Sequence, residues 1–163
     1  QKEKKDTAKA PLNIALEAKE YTITFAANRK TLTRQELFDW SQESDEQIRY
    51  YSGTATYKTT FCWKNKPNKD QQIYLNLATV RVNGVDCGTI WTAPYRADIT
   101  GALKKGINEL EIEVTNTWAN ALTGADEGKA PFDGIWTNAK YRRAEKTLLP
   151  AGLLGPLSFS TTE

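Results

Sequence analysis

Histidine is absent from all 163 residues. That removes the commonest general base, the Ser–His and Cys–His nucleophile pairs and most zinc sites, so catalysis here would have to rest on carboxylates. Glycoside hydrolysis is the reaction two facing carboxyl groups perform, one protonated and one ionised. No such pair announces itself. Glu109, Glu111 and Glu113 alternate behind the apolar positions Leu110, Ile112 and Val114, the pattern of a solvated strand face. Asp126, Glu127 and Asp133 fall in a long Gly-, Asn- and Lys-rich stretch and are the carboxylates to test as catalytic. The reading is that the chain is not an enzyme by itself. Asp126 or Asp133 could contribute to an oxygen-rich structural calcium site, but no EF-hand-like spacing accompanies them, and no cofactor is expected. Cys62 and Cys87 show neither a CxxC spacing nor a dense framework, which leaves free thiols or one optional bridge.

Five Trp and seven Tyr are many for this length. Such residues either fill a β core or form flat platforms on which sugar rings stack. Trp91, Tyr95 and Arg96 cluster around Pro94, where an aromatic face could stack on a pyranose and a guanidinium could bond its hydroxyls. The alternative is that Trp91 and Tyr95 pack the edge of a sandwich while Arg96 pairs with an acid. With 22 Lys and Arg against 20 Asp and Glu the net charge is +2, too small a field to favour nucleic acid or an anionic membrane. No apolar run approaches the roughly 18 residues of a membrane span. The start, Gln1-Lys-Glu-Lys-Lys-Asp6, is too polar for a signal peptide, and a chain that opens on Gln1 and contains no Met is expected to be a processed product or an excised piece.

The elements that must position these residues are short and mostly extended. Residues 1–10 are lysine-rich with little apolar content, a disordered tail or linker, and 11–163 read as one domain. Tyr21, Ile23 and Phe25 alternate with threonines as a half-buried strand. Thr33-Arg-Gln-Glu36 has the form of a capping box and predicts a short helix through Trp40, followed by a polar loop from Ser41 to Glu46. Ala55, Tyr57, Thr59, Phe61 and Trp63 share one face of a long strand. Ile73, Leu75 and Leu77 begin another, and Asn83-Gly84 supplies the two positive φ angles of a type I′ hairpin turn between Val80-Arg-Val82 and Val85. Asp98 or Thr100 is placed to cap one helical turn that Gly106 ends. Asn108–Thr115 is a strand with Leu110, Ile112 and Val114 toward the core, 119–147 lack periodicity, and a last strand lies near Gly155–Phe159. Many short strands with one or two short helices predict an all-β sandwich or jelly roll.

Four segments in this order carry a family resemblance: Ser52-Gly-Thr-Ala-Thr-Tyr-Lys-Thr-Thr-Phe61, Val80-Arg-Val-Asn-Gly84, Trp91-Thr-Ala-Pro-Tyr-Arg-Ala-Asp-Ile-Thr100 and Gly106-Ile-Asn-Glu-Leu-Glu-Ile-Glu-Val114. Together they resemble the sugar-binding, galactose-binding-like jelly roll of family 2 glycoside hydrolases. Asn116-Thr-Trp118, followed by Leu148-Leu-Pro-Ala-Gly-Leu-Leu-Gly-Pro-Leu157, is most similar to the C-terminal sandwich of large bacterial α-L-rhamnosidases. The resemblance runs from about Tyr50 to Phe159. It implies a noncatalytic, carbohydrate-associated accessory domain that contacts sugar or supports the catalytic domain of the same polypeptide, secreted or periplasmic in a bacterium. The alternative is a structural or protein-interaction sandwich that binds no glycan. By the same resemblance, the loop after the Asn108–Thr115 strand can reach a neighbouring domain, which adds Trp118, Asn120, Asp133, Trp136 and Asn138 to Trp91, Tyr95 and Arg96 as sugar contacts; the alternative is a loop tucked against its own sheet with Trp136 as its anchor. The chain departs from the pattern in two places. Leu75–Val82 runs into the hairpin with fewer residues than such domains usually have, and Asn120-Ala-Leu-Thr-Gly-Ala-Asp126 stands where the rhamnosidase-like pattern has Asn-Arg-Leu-Ile-Gly-Asp. The missing arginine weakens any role at an active site.

Overall fold

The computed structural model describes residues 12–65, 72–76, 79–90, 96–138 and 147–162. Residues 1–10, the expected tail, lie outside them, as do Leu77, Trp91 and Tyr95. The strands are β1 (Leu12–Ala15), β2 (Tyr21–Phe25), β3 (Thr31–Arg34), β4 (Thr54–Trp63), β5 (Gln72–Asn76), β6 (Thr79–Val82), β7 (Val85–Thr89), β8 (Arg96–Asp98), β9 (Gly106–Thr115) and β10 (Ser158–Thr162). Among the described residues two α-helices join them, α1 (Glu46–Arg49) and α2 (Ala119–Asp126). The strands form a four-stranded sheet in the order β1-β10-β5-β8 and a six-stranded sheet in the order β3-β2-β4-β9-β6-β7. All strand pairs are antiparallel. This is the predicted all-β sandwich.

The centre of the larger sheet is the pairing of β4 with β9, unbroken from Thr54 opposite Thr115 to Trp63 opposite Gly106. Period-two alternation in both strands sends Ala55, Tyr57 and Phe61 to the same side as Leu110 and Ile112, all at most 4% exposed. From the smaller sheet Ile73, Ala97 and Phe159 complete the core. Val114, expected inside, is only half-buried because β9 is about to leave the sheet there. The opposite face is solvated, as the alternating glutamates predict. Lys58 pairs with Glu111 at 3.0 Å, and Arg81 reaches both Glu111 and Glu113 at 2.8 Å. Replacing the fully buried Ile112 by Val should cost about 0.5–1.5 kcal/mol in urea unfolding, the range for one buried methyl group. A variant indistinguishable from the parent would refute the register of β9.

The hairpin turn is as read: Asn83 and Gly84 have φ of 52° and 79°. Its asparagine has a second task, because its amide donates to Ala102 O and to the Oδ1 of Asn108, a residue with no exposed surface. The turn after β8 conforms in part: a 3₁₀ turn forms at Thr100–Ala102 with Asp98 accepting from the N–H and hydroxyl of Thr100, but the cap position is Ile99, and Gly106 opens β9 instead of ending the turn.

Three local expectations fail. Thr33 does not open a helix; it lies in β3 opposite Thr22, so the backbone groups a helix would have used are spent on β2. Helical structure comes later, as a 3₁₀ turn at Trp40–Gln42 under Asp39 and as α1 under Asp45, each aspartate accepting an N–H two residues on. Residues 119–126 form α2 instead of irregular loop. Leu12–Ala15, too short to show a period, becomes a strand only through its pairing with β10, which itself runs to Thr162 instead of ending near Phe159. Both cysteines are free thiols, Cys62 exposed and Cys87 half-buried, so no bridge forms.

Candidate functional site

Backbone register decides which connections share an end of the larger sheet. Thr89 closes β7 opposite Thr79, and Thr79 lies opposite Glu113, two residues before β9 ends. The segment that begins at Ile90 therefore leaves the sheet at the same end as the one that leaves β9. Arg96, exposed, opens β8 opposite Asn76. Its partners in the expected cluster, Trp91 and Tyr95, are outside the described residues.

The described start of the connection after β9 is tied to the rest of the domain. At its root the amide of Asn116 accepts from Gly53 N at 2.8 Å and donates to Tyr51 O at 2.9 Å. Gly53 has φ of 131°, and a Cβ there would stand 3.1 Å from the Tyr51 hydroxyl, so the tight approach of this turn requires glycine. Helix α2 has no side-chain cap of its own at Trp118; its Ala121 N–H is taken instead by the buried hydroxyl of Ser52 at 3.1 Å, a cap from 69 residues away. Gly124 lets the helix lie on the Tyr50 ring, where a Cβ would come within 2.8 Å. The Tyr50 hydroxyl donates to Glu127 Oε2 at 2.9 Å, and burial together with that carboxylate raises the phenol above its ordinary pKa.

Trp118 is 57% exposed, with its ring edge-to-face on Phe132 at 6.2 Å; Phe132 in turn meets the buried Tyr51 at 6.2 Å. Trp136 is 80% exposed. Asp133 and Asn138 are also exposed. Asn120 is different. It is 2% exposed, and its amide donates to Leu149 O at 2.7 Å and accepts from Leu149 N at 2.8 Å, which spends both ends of the group on the chain itself. The expectation that Asn120 meets sugar is therefore corrected to a clamp on the returning segment. Beyond it Ala151 and Leu153 run over Trp40 and Tyr57, while Leu149 and Leu154 remain exposed.

The Asp and Glu side chains among the described residues are mostly exposed or paired with cations. Those that depart from ordinary values all go down: the Ser44 N–H and then Arg34 hold Glu43 low, Lys30 holds Asp45 low, and Lys58 and Arg81 hold Glu111 low. A general acid for glycoside cleavage needs the opposite shift. Of the three carboxylates singled out from sequence, Glu127 is tied to Tyr50, while Asp126 and Asp133 are exposed. Among the described residues no three Cys, Asp or Glu side chains gather as a metal site, so the calcium expectation finds no ligand set at Asp126 or Asp133.

Sequence reasoning missed Phe132 altogether and met Ser52 and Asn116 only as parts of resembling segments. None carries a periodic signal; each acts through a partner dozens of residues away or across a loop.

Fold and site thus define a β-sandwich that presents Trp118 and Trp136 on the connection leaving one end of its larger sheet. Residues 17–147 match the family model described as glycosyl hydrolase 2 galactose-binding domain-like, and the chain belongs to that family. A putative β-glucuronidase of Formosa agariphila is 34% identical, an alignment covering 86% of this chain and 15% of that protein. The structure of a rhamnosidase from Novosphingobium sp. PP1Y superposes with a TM-score of 0.80 at 34% identity, covering 94% of this chain and 15% of the other. A β-D-glucuronidase from Dictyoglomus thermophilum shares the fold, with a TM-score of 0.60 at 18% identity, over 98% of this chain and 29% of that one. The chain thus spans about 15% of the length of the first two relatives.

Proposed function

We propose that this domain is a noncatalytic, carbohydrate-associated part of a larger glycoside hydrolase, and that it touches sugar with Trp118 and Trp136 at the rim of a pocket completed by the rest of the polypeptide. The observation that carries the reading is the contrast among tryptophans: Trp40 is fully buried, whereas Trp118 and Trp136 are 57% and 80% exposed on one connection. An exposed indole presents the flat apolar face a pyranose stacks on, and the exposed Asp133 and Asn138 lie in the same connection to bond its hydroxyls. The segment that begins at Ile90 leaves the sheet at the same end, which makes Trp91, Tyr95 and Arg96 the further contacts to test. The rhamnosidase and glucuronidase names of the relatives make rhamnose and glucuronate the sugars to try first, with galactose beside them. The parent enzyme works in the periplasm or outside the cell; among the described residues no helix is long and apolar enough to cross a membrane.

A second reading has the same connection dock on the catalytic domain without touching glycan, and the exposed Leu149 and Leu154 favour it. Titration of the isolated chain by NMR separates the two. One or two stacked rings on an open surface give a millimolar constant, about 4 kcal/mol. The indole N–H signals of Trp118 and Trp136 should move with sugar, and the same preparation should turn over no aryl glycoside. Signals that stay still at high concentration of all three sugars would leave only the docking role.

A further inference from the structure

We infer that Ser52, Asn116 and Asn120 are positioning residues that hold Trp118 in a preformed place, an inference that rests on the reading of Trp118 as a sugar contact. An exposed indole on an ordinary loop samples several backbone and rotamer states, and ordering it on binding would consume much of a weak interaction. At Trp118 the flanking backbone is already tied down within the chain itself. Two residues earlier, three hydrogen bonds tie Asn116 to the Tyr51–Gly53 turn: its side chain accepts from Gly53 N, its side chain donates to Tyr51 O, and its own N–H donates to Gly53 O. Three residues later, the hydroxyl of Ser52, between the two residues Asn116 grips, takes the Ala121 N–H. One tripeptide, Tyr51–Gly53, thus holds both flanks of Trp118.

Asn120 closes the arrangement from the other side by its reciprocal pair of bonds to Leu149. Trp118 O accepts from Leu122 N, so the tryptophan is itself locked into the first turn of α2. The side chain itself meets the Phe132 ring edge-to-face. Ser52 and Asn120 are 0% and 2% exposed, which keeps both out of reach of a ligand and makes their action indirect.

The test compares the parent chain with Ser52→Ala, Asn116→Ala and Asn120→Ala. The remote variant Thr59→Ala, which deletes a buried hydroxyl bond to Glu20 O, serves as a control for general loss of stability. Trp118→Phe assigns the indole signal. The readouts are the 15N relaxation of the Trp118 and Trp136 indoles in the free protein and the constant for the sugar that binds the parent. Each positioning variant that folds should loosen the Trp118 indole while leaving that of Trp136 unchanged, and should weaken sugar binding about 3- to 10-fold by restoring the ordering cost. Thr59→Ala should do neither at an equal loss of Tm. A Trp118 indole as ordered in the folded variants as in the parent overturns the positioning role. A parent that binds no sugar while the variants still loosen Trp118 sinks the sugar reading and leaves the mount standing.

Discussion

Trp40→Ala should lower stability by about 3–5 kcal/mol, a large share of the roughly 5–15 kcal/mol that holds a domain of this kind together. Trp40 has no exposed surface and sits edge-on to Phe25 at 5.0 Å and to Tyr51 at 5.7 Å. It is also where the last part of the chain is anchored. Its N–H donates to Ala151 O, and Gly152, with φ of 95°, passes so close that a Cβ would fall 2.5 Å from the indole nitrogen. Removing the indole therefore opens a cavity and takes away the surface on which residues 151–153 rest. Urea unfolding should show the loss as a lowered midpoint, and hydrogen exchange should show early opening of Leu153. A loss below about 1 kcal/mol would mean that the segment is not held by Trp40.

Tyr57→Phe should cost about 2–6 kcal/mol although it deletes one atom. The Tyr57 hydroxyl accepts from Trp40 Nε1 at 2.8 Å and from Leu153 N at 3.0 Å, and leaving a buried donor without a partner costs about 1–3 kcal/mol each. The same burial pushes the phenol up to about 12, against 10.0 for an ordinary tyrosine. The folded pKa is the higher one, so this contribution is complete below pH 10, where the phenol is protonated in both states. Above that the unfolded chain ionises first, and stability falls until the folded phenol ionises near 12. The parent should lose about 3 kcal/mol across that window from this group. In Tyr57→Phe that component of the alkaline loss should vanish, and equal alkaline slopes in the two proteins would contradict the burial of the hydroxyl. Because Trp40 and Tyr57 share a hydrogen bond, their double variant should lose less than the sum of the two single losses.

Much of the sandwich is legible in the sequence because its code is local. Alternation along Thr54–Trp63 and Gly106–Thr115 marks an inner and an outer face, and Asn83-Gly84 dictates a turn whose geometry few other residue pairs adopt. The missing histidine likewise bounds the chemistry before any coordinates exist. Four ordered segments were enough to place the chain in its family, which the match over residues 17–147 bears out.

Where those local rules misled, a distant partner had settled the outcome. Thr33 and Glu36 satisfy the grammar of a helix start, but β2 offers the same backbone a ladder of hydrogen bonds, and the ladder wins. Ala119–Asp126 contains a mid-helix glycine and no cap of its own, so nothing in the segment marks it as a helix; the cap is Ser52, and the glycine is what allows contact with Tyr50. Trp118, Asn120 and Trp136 stand in one stretch of sequence with the same apparent promise. Burial alone sorts them, turning the asparagine inward as a clamp on Leu149 and leaving the two indoles at the surface. The sequence determined which residues face the core and which side chains could meet a sugar. Only the tertiary structure decided which of those remain free to do so, since a side chain's hydrogen-bond partners and exposure depend on chain segments that periodicity does not bring together.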